Sequence, residues 1–443
     1  MLTTLEKDTS TRPEARFLQA FEVHAGHTLN GSNPRLQRLR QEAIDHFRRL
    51  GFPARKAEAW KYTPITTTLR HPYAVHLADD ATVTEADLAP HLIPDLDAYR
   101  VVLLNGRFMP ALSVLDGLPD GVVVTSLAEA TEAHAAVFDR HFARYADPAA
   151  EVFTALNTAF THDGLFLHVP AQTVVEKPIL LLSLTATEDD AFLQPRRLIV
   201  VDEGAQVTFI EHRRSLTGAK TFTSGVTEVY TGARAHVDTY LIQDEGPNAC
   251  QVDTLHVFQE TGSYASTNTI TLSGEVVRNN HTYLPHAEHC ETHLLGLFLG
   301  KGRMHVDNHT LVDHAQPQCM SNELFKGILD DEATGVFNGK VYVHPDAQQI
   351  NAYQSNKSVL LSEKAQMYSK PELEIYADDV KCSHGATTGQ LDREALFYLR
   401  ARGLTRDRAR KLLLLAFARD VVDAVRIEPL RAYLDATIEE RLG

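Results

Sequence analysis

From Leu165 to about Thr388 the sequence alternates, and this constrains the fold more than any other feature. In "ARAHVDTYLIQD", Ala235, Val237, Thr239 and Leu241 share one parity, while His236, Asp238 and Tyr240 share the other. In "PELEIYAD", Leu373, Ile375 and Ala377 oppose Glu372, Glu374 and Tyr376. Short segments of this kind fill the region, separated by glycine, asparagine and aspartate turns, with no long helix between them. That pattern is all-β: a sandwich, a barrel or a solenoid. One parity is small or branched and can stack into a narrow core. The other reads as polar, with no second apolar face for a sandwich partner, so a β-solenoid is expected. There is no strict short repeat. Two segments echo each other, "EKPILLLS" and "SKPELEIY", each read as a Lys-Pro entering a strand.

Helical signals flank this region. In "NPRLQRLRQEAIDHFRRLG", Asn33 can cap, Pro34 suits the first turn, and Gly51 can end the helix; Leu36, Leu39, Ala43, Phe47 and Leu50 recur at helical spacing. Trp60, the single tryptophan, reads as a packing anchor. "YRVVLLNGRFMP" predicts a strand and an Asn105-Gly106 turn. "AAEVFTALNTAFTHDG" predicts a helix reaching Gly164. After Gly389 the periodicity is helical again: Asp392 caps "REALFYLRARG", which stops at Gly403, Thr405 caps the next helix, and Pro429 opens the last. The expected division is a mostly helical 1–160 with a short β segment, a β core at 161–388, and helices at 389–443.

The chain has 443 residues and a net charge of −15. So acidic a chain is a poor general ligand for nucleic acid or anionic membrane. The N-terminal "MLTTLEKDTSTRPEARF" lacks an apolar leader and no run is long enough to span a membrane, so the cytoplasm is expected, with Cys250, Cys290, Cys319 and Cys382 reduced. Arg400, Arg402, Arg406, Arg408, Arg410 and Lys411 make the C-terminal helices basic within an acidic chain. Two readings stand: a solvated face, or a dock for an acidic partner.

No phosphate-binding loop, dinucleotide fingerprint, nucleophile elbow or H-E-x-x-H motif occurs. If ATP takes part, another subunit should bring it. Histidines are dense over His281, His286, His289, His293, His305, His309 and His314. They are either polar strand and turn residues, or ligands of a stand-alone solenoid or cupin-like metalloenzyme. Cys382 and His384 differ from these: two residues apart on a strand, they point to one side. Thiolate and imidazole both bind iron or iron–sulfur species, but two ligands cannot complete a cluster. The other reading is a buried cysteine beside a turn histidine.

The segment "LFKGILDDEATGVFNGKVYVHPDAQQINAYQSNKSVLLSEKAQMYSKPELEIYADDVKCSHGATTGQLDREALFYLRARGL" closely resembles the SufD branch of the SufB/SufD iron–sulfur cluster assembly family. "GFPARKAEAWKYTP" resembles that branch's N-terminal signature, and "DNHTLVDHAQPQCMSNELFKG" the core shared by both branches. SufB-type chains look like V-E-H-E-A-T where this one has Cys382-Ser383-His384-Gly385-Ala386-Thr387. The resemblance implies a right-handed parallel β-helix core and a non-catalytic scaffold, paired through that core with SufB. It implies that the terminal helices dock the SufC ATPase, around Asp392, Leu396, Tyr398, Arg400, Arg402 and Gly403. It also implies a transient iron–sulfur cluster near His384 and Cys382, shared with SufB, in a complex of one B, two C and one D subunit. No metal is expected on the isolated chain. Reduced flavin accompanies some such complexes, though no flavin motif is readable. A third reading is a homodimeric scaffold, two copies pairing through the edge of an open solenoid end when SufB is absent.

Overall fold

The structure, a computed structural model, describes residues 12–28, 33–54, 56–76 and 82–443, except for the side chains of 25–28. Residues 1–11 of the stretch read for a leader, and Arg55, lie outside them. Among the described residues no helix is long and apolar enough to cross a membrane.

The early helices follow their end signals. The Asn33 side chain accepts from the Arg35 N–H at 2.9 Å, Pro34 opens the helix Pro34–Leu50, and Gly51, at φ 62°, donates its N–H to the Phe47 carbonyl. The buried face is Leu36, Arg40, Ala43, Ile44 and Phe47. Leu50, expected on it, is exposed in the last turn of the helix. Arg40 takes an interior place by donating to the Thr161 carbonyl. Trp60 packs on Phe153, with the Arg278 guanidinium over its ring at 4.2 Å. Asn105 and Gly106 both have positive φ and close the hairpin between Tyr99–Leu104 and Arg107–Phe108. The helix expected to reach Gly164 ends at Phe160. The Thr161 hydroxyl turns back onto the Asn157 carbonyl, and Asp163 accepts from the Phe108 N–H. Gly164 sits so close to Arg196 that a Cβ would lie 2.0 Å from its carbonyl oxygen.

The centre is a parallel β-solenoid with two sheets. One sheet runs from Val123–Ser126 through Leu165–Val169, Arg196–Val201, Thr221–Thr231, Ala249–Gln259, Val276–Pro285, His305–His314 and Thr334–Val343 to Gln366–Ile375. The other runs from Tyr99–Leu104 through Ile179–Thr185, Gln206–Ser215, His236–Asp244, Tyr264–Ser273, Glu291–Gly300, Met320–Leu329 and Ile350–Leu360 to Val380–Gly389. Successive strands of the chain alternate between sheets, and register partners such as Asn279 and Asn308 lie 29 residues apart. The alternation over 235–241 is real: Val237 and Leu241 face the lumen, whereas Tyr240 and Ile242 face outward.

Two expectations fail here. First, the outer faces are not polar throughout. Ile210, Tyr240, Ile242, Ile270 and Leu297 lie outside the second sheet, under Leu414, Ala418, Val421, Leu430 and Leu434 of the C-terminal helices. Phe192, Phe222, Cys250 and Val252 lie outside the first sheet, under Phe17, Phe47 and Phe153. Helices replace the missing second sheet as the apolar partner. Second, the lumen is not simply small and branched. Buried Arg197 pairs with Glu211, Glu211 with Arg213 at 2.9 Å, and Arg213 with Asp253 at 2.9 Å. An amide ladder follows, Gln243 to Asn279 at 2.8 Å and Asn279 to Asn308 at 2.9 Å. These polar groups pair with one another in file, which offsets much of the cost of burying them, although Arg197 Nε and Nη1 and Asp253 Oδ1 find no hydrogen-bond partner among the described residues.

"SKPELEIY" also departs from its reading. Lys370-Pro371 falls inside the strand Gln366–Ile375, which is an edge strand. The Gln366 and Tyr376 N–H groups bond back to Ala333 and Val343. Pro371 has the opposite parity, so its missing donor faces the free edge, where proline costs no ladder bond.

Candidate functional site at the open end of the solenoid

The two ends of the solenoid differ. At the N-terminal end, Val123–Ser126 and Arg107–Phe108 pair antiparallel with their neighbours and close the sheets. At the other end, Gln366–Ile375 and Val380–Gly389 are the last strands of their sheets. Among the described residues nothing pairs with their outer edges. A row of free N–H and C=O groups is therefore presented side by side on two sheets.

Cys382 and His384 lie on this terminal strand, in register with Ala352 and Gln354. Ala352 and Gln354 are buried toward the lumen, so Cys382 and His384 are on the lumen-facing parity too. Being last, their strand leaves them uncovered: His384 is exposed and Cys382 half-buried. Cys382 packs at the rim of a cluster holding Cys290, Cys319, Ile350 and Ala352. Burial pushes its thiol pKa upward. Below His384, Gln354 reaches Glu323, whose other oxygen has no partner among the described residues; the Thr310 hydroxyl donates to Glu323 at 2.7 Å. Gln354 fits because residue 339 is glycine: a Cβ there would lie 2.4 Å from the Gln354 amide nitrogen.

The histidine group of 281–314 does not converge. His281 and His314 are lumen residues whose burial lowers their pKa to about 4. His314 bonds Ser321, His293 pairs with Glu291, His309 with Asp307, and His305 with Thr63. His286 lies tilted against the Phe258 ring, and His289 is a turn residue at φ 62°. His305, Asp307 and His309 do share a face, but Asp307 is already held by Arg278, Thr63 and His309. Among the described residues no group of three or more histidine, cysteine or acidic side chains is arranged to hold a metal ion.

The terminal helices form a second exposed feature. Asp392 caps Arg393–Ala401, accepting from the Glu394 and Ala395 N–H groups at 2.8 and 3.1 Å. Gly403, at φ 94°, ends it. No residue of this helix is buried. Leu396 is half-buried, while Tyr398, Arg400 and Arg402 are exposed, and the Arg402 guanidinium lies over the Tyr398 ring. Phe397 is 74 % exposed and lines an open groove with Tyr398, Leu399 and Leu413. Of the basic residues, Arg410 pairs with Asp330 and Lys411 with Glu439, whereas Arg400, Arg402, Arg406 and Arg408 are exposed. Sequence reasoning missed Phe397; its signal was the adjacent Phe-Tyr on a helix with a basic face. It also missed the exposed Tyr353, Ile375 and Tyr376 near the open end.

Comparison with known proteins decides the family. Residues 184–417 match the SufBD core domain of the SUF system for FeS cluster assembly, and residues 11–181 match the SufBD protein N-terminal region. The SufD iron–sulfur cluster assembly protein of Escherichia coli is 31% identical over 91% of this chain and 92% of its own length. The chain belongs to the SufBD family. An iron–sulfur cluster assembly SufBD family protein from Synechocystis is 33% identical over 89% of this chain and 88% of its own. The Bacillus subtilis SufD protein is 26% identical over 92% and 94%. This SufBD protein is thus a subunit of iron–sulfur cluster assembly, and the cupin-like metalloenzyme alternative has no support.

Proposed function

We propose that this chain is a non-catalytic scaffold. It pairs through the open end of its solenoid with a SufB-type partner and carries a SufC-type ATPase on its terminal helices. The observation that carries the reading is the asymmetry of the solenoid: one end is closed by antiparallel strands, and the other exposes two edges with Cys382 and His384 on their lumen side. A partner of the same architecture would continue both sheets and bring further ligands to His384. The iron–sulfur cluster is cargo here, so two ligands from this chain suffice if the partner supplies the rest. In this scheme His384 binds iron or relays a proton, and Cys382 is a second ligand or a packing residue at the rim. Phe397 and Tyr398, exposed on a helix with no buried face, suit a protein partner.

Co-expression with SufB-type and SufC-type subunits tests this, with mass and ATPase rate measured on what co-purifies. A stable three-component assembly with ATPase activity above that of the free ATPase is expected. A chain that purifies alone and monomeric under these conditions overturns it. In isolation the same open end predicts a concentration-dependent homodimer.

A further inference from the structure

Cys290 and Cys319 occupy equivalent places on consecutive turns of the solenoid. Each immediately precedes a strand of the second sheet, at Glu291 and Met320, which are register partners. The Met320 N–H donates to the Cys290 carbonyl at 2.9 Å, so the two residues are one rung apart. Adjacent rungs bring Cα atoms to roughly 4.8 Å, inside the range of about 4.4–6.8 Å that a disulfide spans. Each is preceded by a residue of positive φ, His289 at 62° and Gln318 at 61°. That corner turns both thiols inward together.

The sulfurs share surroundings. Each lies 3.2 Å from the Ala287 carbonyl oxygen, and Cys290 lies 3.3 Å from that of Glu260. The Ser263 hydroxyl approaches Cys290 from the preceding rung. Both cysteines are only 1 % exposed, yet His289 and Gln318, each one residue away, are exposed turn residues. A hydrogen bond from Cys319, with further donors, holds the Cys290 thiol below the usual thiol range and pushes that of Cys319 up. The other two cysteines differ. Burial, with the Glu275 carboxylate, pushes Cys250 up to about 12, and Cys382, on the terminal strand, is half-buried at the rim of the cluster that encloses Cys290 and Cys319.

We propose that Cys290 and Cys319 form a redox-active dithiol that hydrogen peroxide converts to an internal disulfide. The Cys290 thiolate attacks one peroxide oxygen and the O–O bond breaks, giving a sulfenic acid and hydroxide. The hydroxide takes up the proton that Cys290 released and becomes water. The Cys319 sulfur then attacks the sulfenic sulfur, the S–O bond breaks, and the departing oxygen leaves as a second water carrying the Cys319 proton. Two thiols lose two electrons and the peroxide gains them.

Treating the full chain with equimolar hydrogen peroxide tests this, followed by alkylation in denaturant and peptide mapping. Exposure alone predicts that half-buried Cys382 reacts first. The expected product is instead a linked Cys290–Cys319 peptide, two hydrogens lighter, formed severalfold faster than Cys382 is lost. Cys319→Ser should stall as a Cys290 sulfenic acid trapped by dimedone, and Cys290→Ser should leave Cys319 unoxidised. Recovery of both cysteines fully alkylated once Cys382 is oxidised, or linkage of either to Cys382, overturns the proposal. The wild-type experiment decides this even if a variant folds poorly.

Discussion

His384 stands one rung beyond Gln354 on the lumen side of the second sheet, and Gln354 stands one rung beyond Glu323. The column is buried at Glu323 and Gln354 and emerges at His384. An imidazole at the mouth of a polar file, on an unpaired edge, is placed to meet what a partner presents there.

His384→Ala should leave the chain folded, since the side chain is exposed and no ladder bond depends on it. In the co-purified complex we expect unchanged subunit composition and a cluster yield lower by about an order of magnitude, the scale of losing a metal-site partner. Iron and sulfide content per complex measures this, and an unaltered yield would remove His384 from the mechanism.

Phe397→Ser should separate docking from folding. At 74 % exposure the ring supports little of the isolated chain, so its stability should move by less than about 0.5 kcal/mol. Capture of the ATPase subunit should weaken clearly. Equal capture by mutant and wild type in a titration would place the dock elsewhere.

Glu323 predicts a pH dependence. Burial raises its carboxyl to about 7. Between about pH 4.5 and about pH 7 the folded chain holds the proton that the unfolded chain has lost. The unfolded state binds fewer protons there, so stability falls as pH rises through this window and levels off above it. Glu323→Gln removes the titration. Its melting temperature relative to wild type should therefore climb from pH 5 to pH 8; a difference constant with pH would show that Glu323 does not titrate in this window.

Lys326 ties the solenoid to the terminal helices. Its ammonium donates to the Phe417 carbonyl at 2.7 Å, pairs with Asp420, and lies over the Phe417 ring. Lys326→Met keeps the stem and deletes the charge. We expect a loss of about 1.5–3 kcal/mol, the range for hydrogen bonds to charged groups. Limited proteolysis should cut first within the helix Arg406–Val422, and an unchanged cleavage pattern would refute the tie.

Much of this protein is local and was readable in order along the chain. Asn33, Asn105-Gly106, Asp392 and Gly403 act through backbone bonds to near neighbours, so their roles follow from residue type and spacing. Parity in the strands is equally local: it placed Cys382 and His384 on one side before any fold was known, and the quoted motifs carried the family. Other features depend on residues far apart in sequence. Leu50 and the helix end at Phe160 were misjudged because neighbours, not propensity, decide which turn is covered. The outer apolar stripe of Ile210, Ile242, Ile270 and Leu297 has meaning only once Leu414 and Val421 lie on it. The sequence by itself determined the alternation, the caps and the chemistry of each side chain, because these depend on neighbours a few residues away. Only the tertiary structure decided that Arg213 meets Asp253, that Gln354 lies across the lumen at Gly339, and that the outer edges of the last two strands have no partner among the described residues. Those depend on coiling, which stacks residues about thirty apart and leaves one end of the stack unpaired.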